Sequence, residues 1–132
     1  MDIDIKQYIK EIKSLRAQAD QYDGNAPGAD ITKIELLTKA HMLMGRVAAV
    51  REGEYWRIYA LRKSTYARAK LEPGPGDKET RAEIAVEQLR MLEAEAMEER
   101  KMWKNEHESL LQQLFELHLK ANRENRTLGG GL

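Results

Sequence analysis

Apolar residues open the chain at helical spacing: Ile5, Tyr8, Ile9, Ile12, Leu15 and Ala19 recur at steps of three or four, with Tyr8 and Ile9 adjacent, and Lys6, Lys10, Lys13 and Arg16 lie between them. That period predicts a short amphipathic helix from about 4 to 22. Two Gly/Pro clusters then punctuate the chain, Asp23-Gly24-Asn25-Ala26-Pro27-Gly28 and Glu72-Pro73-Gly74-Pro75-Gly76-Asp77. Proline cannot continue a helix and glycine supplies turn dihedrals, so both clusters read as connections. Between them a second helix is expected over about 31–71, with Asp30 accepting from the free amides of its first turn. Some 40 residues at 1.5 Å each make it about 60 Å long. A third helix is expected over about 78–125, capped by Asp77 or Thr80, since Thr80 and Glu83 have capping-box spacing. A flexible tail is expected over 126–132.

A six-residue connection between two long helices makes them antiparallel neighbours. The fold expected is therefore all-α: one domain over 1–132, a long antiparallel helical hairpin of coiled-coil character with a short N-terminal amphipathic helix. On the third helix Ala85, Leu89, Leu92, Ala96, Trp103, His107, Leu110, Leu114, Leu117 and Ala121 form one stripe. Val86, Leu111, Phe115 and Leu119 lie partly beside it. That is more apolar surface than one seam and a short covering helix can bury, which predicts a homo-oligomer.

Composition agrees with long helices. Ala, Glu, Lys, Leu and Arg supply 68 of the 132 residues. There is no cysteine, which excludes disulfides, thiolate metal sites and a cysteine nucleophile and suits a reducing compartment. No apolar run approaches the roughly 18 residues of a membrane span, and the N-terminus MDIDIKQYIK lacks a signal-peptide layout. The first helix sets three acids against four bases, too small an excess of cations on its polar face for anionic lipid. The expectation is a cytoplasmic protein without membrane contact.

Candidate chemistry is sparse. His41, His107 and His118 have no partner at metal-ligand spacing, and neither His107 nor His118 completes the Glu-x-x-His pattern of carboxylate di-metal bundles. There is no GxxxxGK[ST], no GxGxxG after a strand and no GxSxG. Glu93, Glu95, Glu98 and Glu99 could do acid–base work if burial separated their pKa values, but on a charged helix such a run reads as a solvated face. No enzyme activity, metal or cofactor is expected.

Charge, by contrast, is segregated. The chain has zero net charge, yet 51–70 carries six basic residues against Glu52 and Glu54. Tyr55, Trp56, Tyr59 and Tyr66 are interleaved with them, and Arg51, Tyr55, Tyr59, Arg62 and Tyr66 recur at three- or four-residue steps. Cations neutralise phosphates and rings stack on bases, a combination suited to single-stranded nucleic acid. Arg51, Arg57, Tyr59, Arg62, Lys63, Tyr66, Arg68 and Lys70 are the candidate contacts. The competing reading is structural: 87–108 holds seven glutamates against four basic residues, and in an antiparallel hairpin these would pair with the arginines.

One further pattern runs from Tyr55-Trp56-Arg57 through Tyr66-Ala67-Arg68-Ala69-Lys70, a Gly/Pro turn and Thr80-Arg81-Ala82-Glu83-Ile84. It continues with Glu93-Ala94, Trp103-Lys104 and Glu108-Ser109-Leu110. This layout, over roughly 47–119, resembles small helical proteins of tailed bacteriophages from replication and recombination clusters, and it also resembles the UvsY family of recombination mediators. In that family a Lys-Ala-Arg segment before a glycine-containing turn is implicated in DNA contact; here Arg68 matches and Tyr66 departs. Of its Tyr-Trp in the last long helix only Trp103 is matched. The resemblance implies a helical ring or barrel of several identical subunits in the host cytoplasm that binds single-stranded DNA. It also implies help in loading a phage recombinase onto strands covered by single-strand-binding protein. The alternative is a phage structural, assembly or host-inhibiting protein that binds only protein through its hairpin.

Overall fold

The computed structural model describes residues 4–22, 26 and 28–129, with side chains to 124. Four helices, α1 Ile5–Asp20, α2 Ala29–Leu71, α3 Lys78–Ala85 and α4 Glu87–Gly129, form an all-α fold with no strand among the described residues. Most of the first expected connection, 23–25 and Pro27, lies outside the described residues, as do 130–132 at the end of the expected tail. The backbone of 126–129 continues α4 instead of leaving it.

Contacts divide the chain into two compact units, Met1–Ala48 with Trp103–Leu132, and Ala49–Met102. The first unit is a three-helix bundle. Its core is built from Ile12 and Ala19 of α1, Leu37, Ala40, Leu43, Met44 and Val47 of α2, and Trp103, Leu110 and Leu114 of α4. Ile5, Tyr8, Ile9 and Leu15 pack against it, so every apolar position that predicted α1 faces this core. Asp4 caps α1 by accepting from the Gln7 amide at 3.2 Å. Pairing across the bundle is antiparallel: Asp30 at the start of α2 meets Lys120 at 3.8 Å, and His41 stacks on His107. Gly45 permits that stack, because a Cβ there would lie 3.1 Å from His107 Nε2.

The expected capping role of Asp30 is not what the structure contains. α2 starts at Ala29, so Asp30 falls inside the first turn. It is 4 % exposed, and neither carboxylate oxygen takes a hydrogen bond from an amide. Burial against α4 aims it at Lys120 and Glu124, and the neighbouring Asp30 carboxyl pushes the Glu124 carboxyl up from its ordinary value.

The second unit pairs the last half of α2 with α3 and the start of α4. Its register is read from ion pairs: Arg51 with Glu99, Glu52 with Arg100, Arg62 with Glu93 and Lys70 with Glu79. Partner numbers fall from 99 and 100 through 93 to 79 as α2 runs from 51 and 52 through 62 to 70, as an antiparallel hairpin requires. Asp77 caps α3, accepting from the Thr80 amide at 3.1 Å and its hydroxyl at 2.8 Å. Those two hydrogen bonds hold the Asp77 carboxyl below its ordinary value. Glu83 does not close a capping box; it takes both Arg90 nitrogens at 3.1 Å.

That Arg90–Glu83 pair spans the main departure from the expected third helix, a break at Val86. Val86 has φ −107° and ψ 6°, and its amide bonds back to Glu83 at 3.3 Å, a tightened turn that separates α3 from α4. Val86 and Ala82 are fully buried, so the break is anchored by packing and not by glycine or proline.

Candidate nucleic-acid interface

Residues 57–70 form an acid-free stretch of α2 holding Arg57, Arg62, Lys63, Arg68 and Lys70. The side of α2 facing α4 is set by Tyr55, 8 % exposed, with Ile58 half-buried near it. This seam captures part of the expected site. Arg62 gives two hydrogen bonds to Glu93, one of them Nη2 to Oε1 at 3.2 Å, and each side chain is only 16 % exposed. Those bonds raise the Arg62 pKa, holding the guanidinium firmly charged. Arg51 sits between Glu54 at 3.0 Å and Glu99 at 3.7 Å. Both arginines therefore follow the structural reading of the sequence. Lys70 makes a looser contact with Glu79 at 4.0 Å.

The remaining cations have no carboxylate partner among the described residues. Arg57 and Lys63 are exposed, and Arg68 donates only to the Ser64 hydroxyl at 3.3 Å. Lys63 Nζ lies 4.9 Å from the centroid of the Tyr59 ring, and Lys70 Nζ lies 5.6 Å from that of Tyr66. The two tyrosines, both half-buried, are seven residues apart, so the Tyr-x-x-x-Lys unit repeats about 10 Å along the helix.

Trp56 extends this strip and was not among the expected contacts. It is 48 % exposed, packs edge-on to Tyr59 with centroids 5.4 Å apart, and donates its indole N–H to Glu52 at 3.0 Å. The spacing 56, 59, 63, 66, 70 alternates three and four, a signal the sequence carries; the expected stripe ran through Tyr55 and Arg62, which belong to the seam. Trp103 is a different case, 9 % exposed within the core of the first unit. Arg100 covers both Tyr55 and Trp56, at 4.9 and 5.4 Å, and is itself bonded to Glu52 at 2.6 Å.

The described residues contain no group of three or more His, Cys, Asp or Glu able to hold a metal ion. None of the described helices is long and apolar enough to cross a membrane. Comparison with protein-family models, curated proteins and solved structures finds no match for this chain.

Proposed function

We propose that the protein is a non-enzymatic accessory factor that binds single-stranded DNA through the 57–70 stretch of α2. The observation carrying this reading is the repeated tyrosine–lysine unit on an acid-free tract, flanked by exposed Trp56 and by Arg57 and Arg68 without carboxylate partners. Lysine and arginine neutralise phosphates without reading sequence, and the ring edges offer stacking surface to any base. Tyr59, Lys63, Tyr66 and Lys70 are its contacts; Arg57 and Arg68 lie toward the other side of α2 and add only to the local positive field. Loading of a recombinase onto strands covered by single-strand-binding protein enters through the resemblance to phage mediators.

Fluorescence anisotropy of a labelled oligonucleotide tests this. With two or three phosphates neutralised per chain, affinity should fall about tenfold between about 50 and about 200 mM salt. A Lys63→Ala, Lys70→Ala double variant should lose most of the binding, and duplex should compete poorly. Absence of binding at low salt would discard the surface. It would favour the second reading, a hairpin that binds only protein, which draws support from the capture of Arg51 and Arg62 by glutamates and from exposed Leu111 and Phe115.

A further inference from the structure

Beside the seam of the second unit runs an open groove of about 380 Å³ whose floor is Ile58, Leu92 and Ala96. Its rim is acidic. Glu54 and Glu99 are already held by Arg51, whereas Glu95 and Glu98 are exposed and pair with no cation among the described residues. Leu92 in the floor is 48 % exposed. An apolar trough between free carboxylates asks for an aliphatic side chain flanked by a cation on the same helix face.

The chain itself carries such a face. Arg57, Leu61 and Arg68 follow one another at steps of four and seven, so they share one edge of α2. Leu61 is 49 % exposed, and neither arginine has a carboxylate partner. This edge is distinct from the strip of Tyr59, Lys63, Tyr66 and Lys70.

We propose that a second copy of this chain docks here, its Leu61 entering the trough over Ile58 and Leu92 and its Arg57 engaging Glu95 and Glu98. Groove and edge both include α2, so the contact is self-complementary. In an antiparallel pairing of the two α2 helices centred between positions 58 and 61, each Leu61 covers the second copy's Ile58. Such an isologous contact closes as a two-fold dimer. Complementary charge sets its orientation, and the leucine–isoleucine centre supplies the buried apolar area.

The test is solution mass by light scattering and sedimentation, with helicity followed by circular dichroism. Wild type should weigh at least two chains at tens of micromolar. Leu61→Glu should halve that mass with helicity unchanged, because Leu61 is half exposed in the single chain. A Glu95→Lys, Glu98→Lys double variant should also dissociate, and adding Arg57→Glu and Arg68→Glu to it should restore association. A monomeric wild type overturns the proposal, as does an unaltered mass in both Leu61→Glu and the charge-reversed variant. Should Leu61→Glu lose helicity, the charge reversal and its restoration decide alone. Oligonucleotide binding by the Leu61→Glu monomer separates this interface from the nucleic-acid reading, since the tyrosine–lysine strip is untouched by that change.

Discussion

Arg62 is the residue on which a structural and a functional account of the basic helix part, and removing its partner distinguishes them. Glu93→Ala leaves a guanidinium that is 16 % exposed with no carboxylate, retaining only its position over the Tyr59 ring at 5.4 Å. Breaking a fully buried pair costs roughly 3–5 kcal/mol, and an exposed pair contributes roughly 0–1 kcal/mol. Two charge-assisted hydrogen bonds at one-sixth exposure place this pair between those limits, at about 2 kcal/mol. With an m-value near 2 kcal/mol/M, the urea midpoint should fall by about 1 M. Arg62→Ala should cost a similar amount, and the double-mutant cycle should return a coupling of about 1–2 kcal/mol. The pair Arg90–Glu83 is the internal control. Its side chains are 47 % and 52 % exposed, so Glu83→Ala should cost no more than about 0.5 kcal/mol and move the midpoint by no more than about 0.25 M. If Glu93→Ala costs as little as that control, while Arg62→Ala weakens oligonucleotide binding at unchanged stability, Arg62 is a ligand contact and the seam assignment is wrong.

Three further outcomes follow from the geometry. Burial and then the neighbouring His107 charge push the His41 pKa below its ordinary 6.5, the two rings being stacked at 4.0 Å. The unfolded chain therefore binds the proton first, and stability should hold above pH 7 and decline as pH falls through 6.5; His41→Gln should flatten that decline in thermal melts, whereas a profile like that of exposed His118→Gln would refute it. Gly76 has φ +81°, so Gly76→Ala should destabilise by about 1–2 kcal/mol in urea titrations, and a neutral result would mean that the turn is not held in this conformation. Leu110 is 1 % exposed in the core of the first unit, so Leu110→Ala should cost about 2–5 kcal/mol, and a value below 1 would show that α4 does not pack there as described.

What could be read in advance depended on whether the signal was local. α1 announces itself through Ile5, Tyr8, Ile9, Ile12, Leu15 and Ala19, and the double-proline turn ends α2 at Leu71, because period and backbone restriction act within a few residues. The break at Val86 has no such marker. It arises because Ala82 and Val86 are both driven to full burial while Arg90 reaches back to Glu83, and none of that is written in a glycine or proline. Asp30 looked like a cap for the same reason: its type fits, but burial beside Lys120 and Glu124 is set by a helix some ninety positions along the chain. The candidate site shows the same division. The excess of cations over 57–70 is visible in the sequence, whereas the loss of Arg62 to Glu93, 31 positions away, depends on the register of the hairpin.

Net neutrality is compatible with polyanion binding because screening makes charge a local property. The stretch from 57 to 70 spans about 20 Å of helix, twice the roughly 10 Å over which charges act in 0.1 M salt. A phosphate strand beside Lys63 then responds to the cations of that stretch and hardly to carboxylates elsewhere in the chain. Within the second unit Glu83, which lines a groove with Lys63 and Tyr66, is moreover held by Arg90, and Glu52, Glu54, Glu93 and Glu99 are likewise held by arginines, which offsets the nearest negative fields. Lower salt lengthens the reach of each charge to about 30 Å near 0.01 M, and in a chain with no second copy docked, Glu95 and Glu98 then begin to oppose the approach. The logarithmic dependence of affinity on salt should therefore be steep around 0.1 M and flatten below about 0.02 M. In the undocked Leu61→Glu chain, Glu95→Gln with Glu98→Gln should restore a straight line, and a line already straight in Leu61→Glu alone would mean that these carboxylates lie too far from the bound strand to be felt.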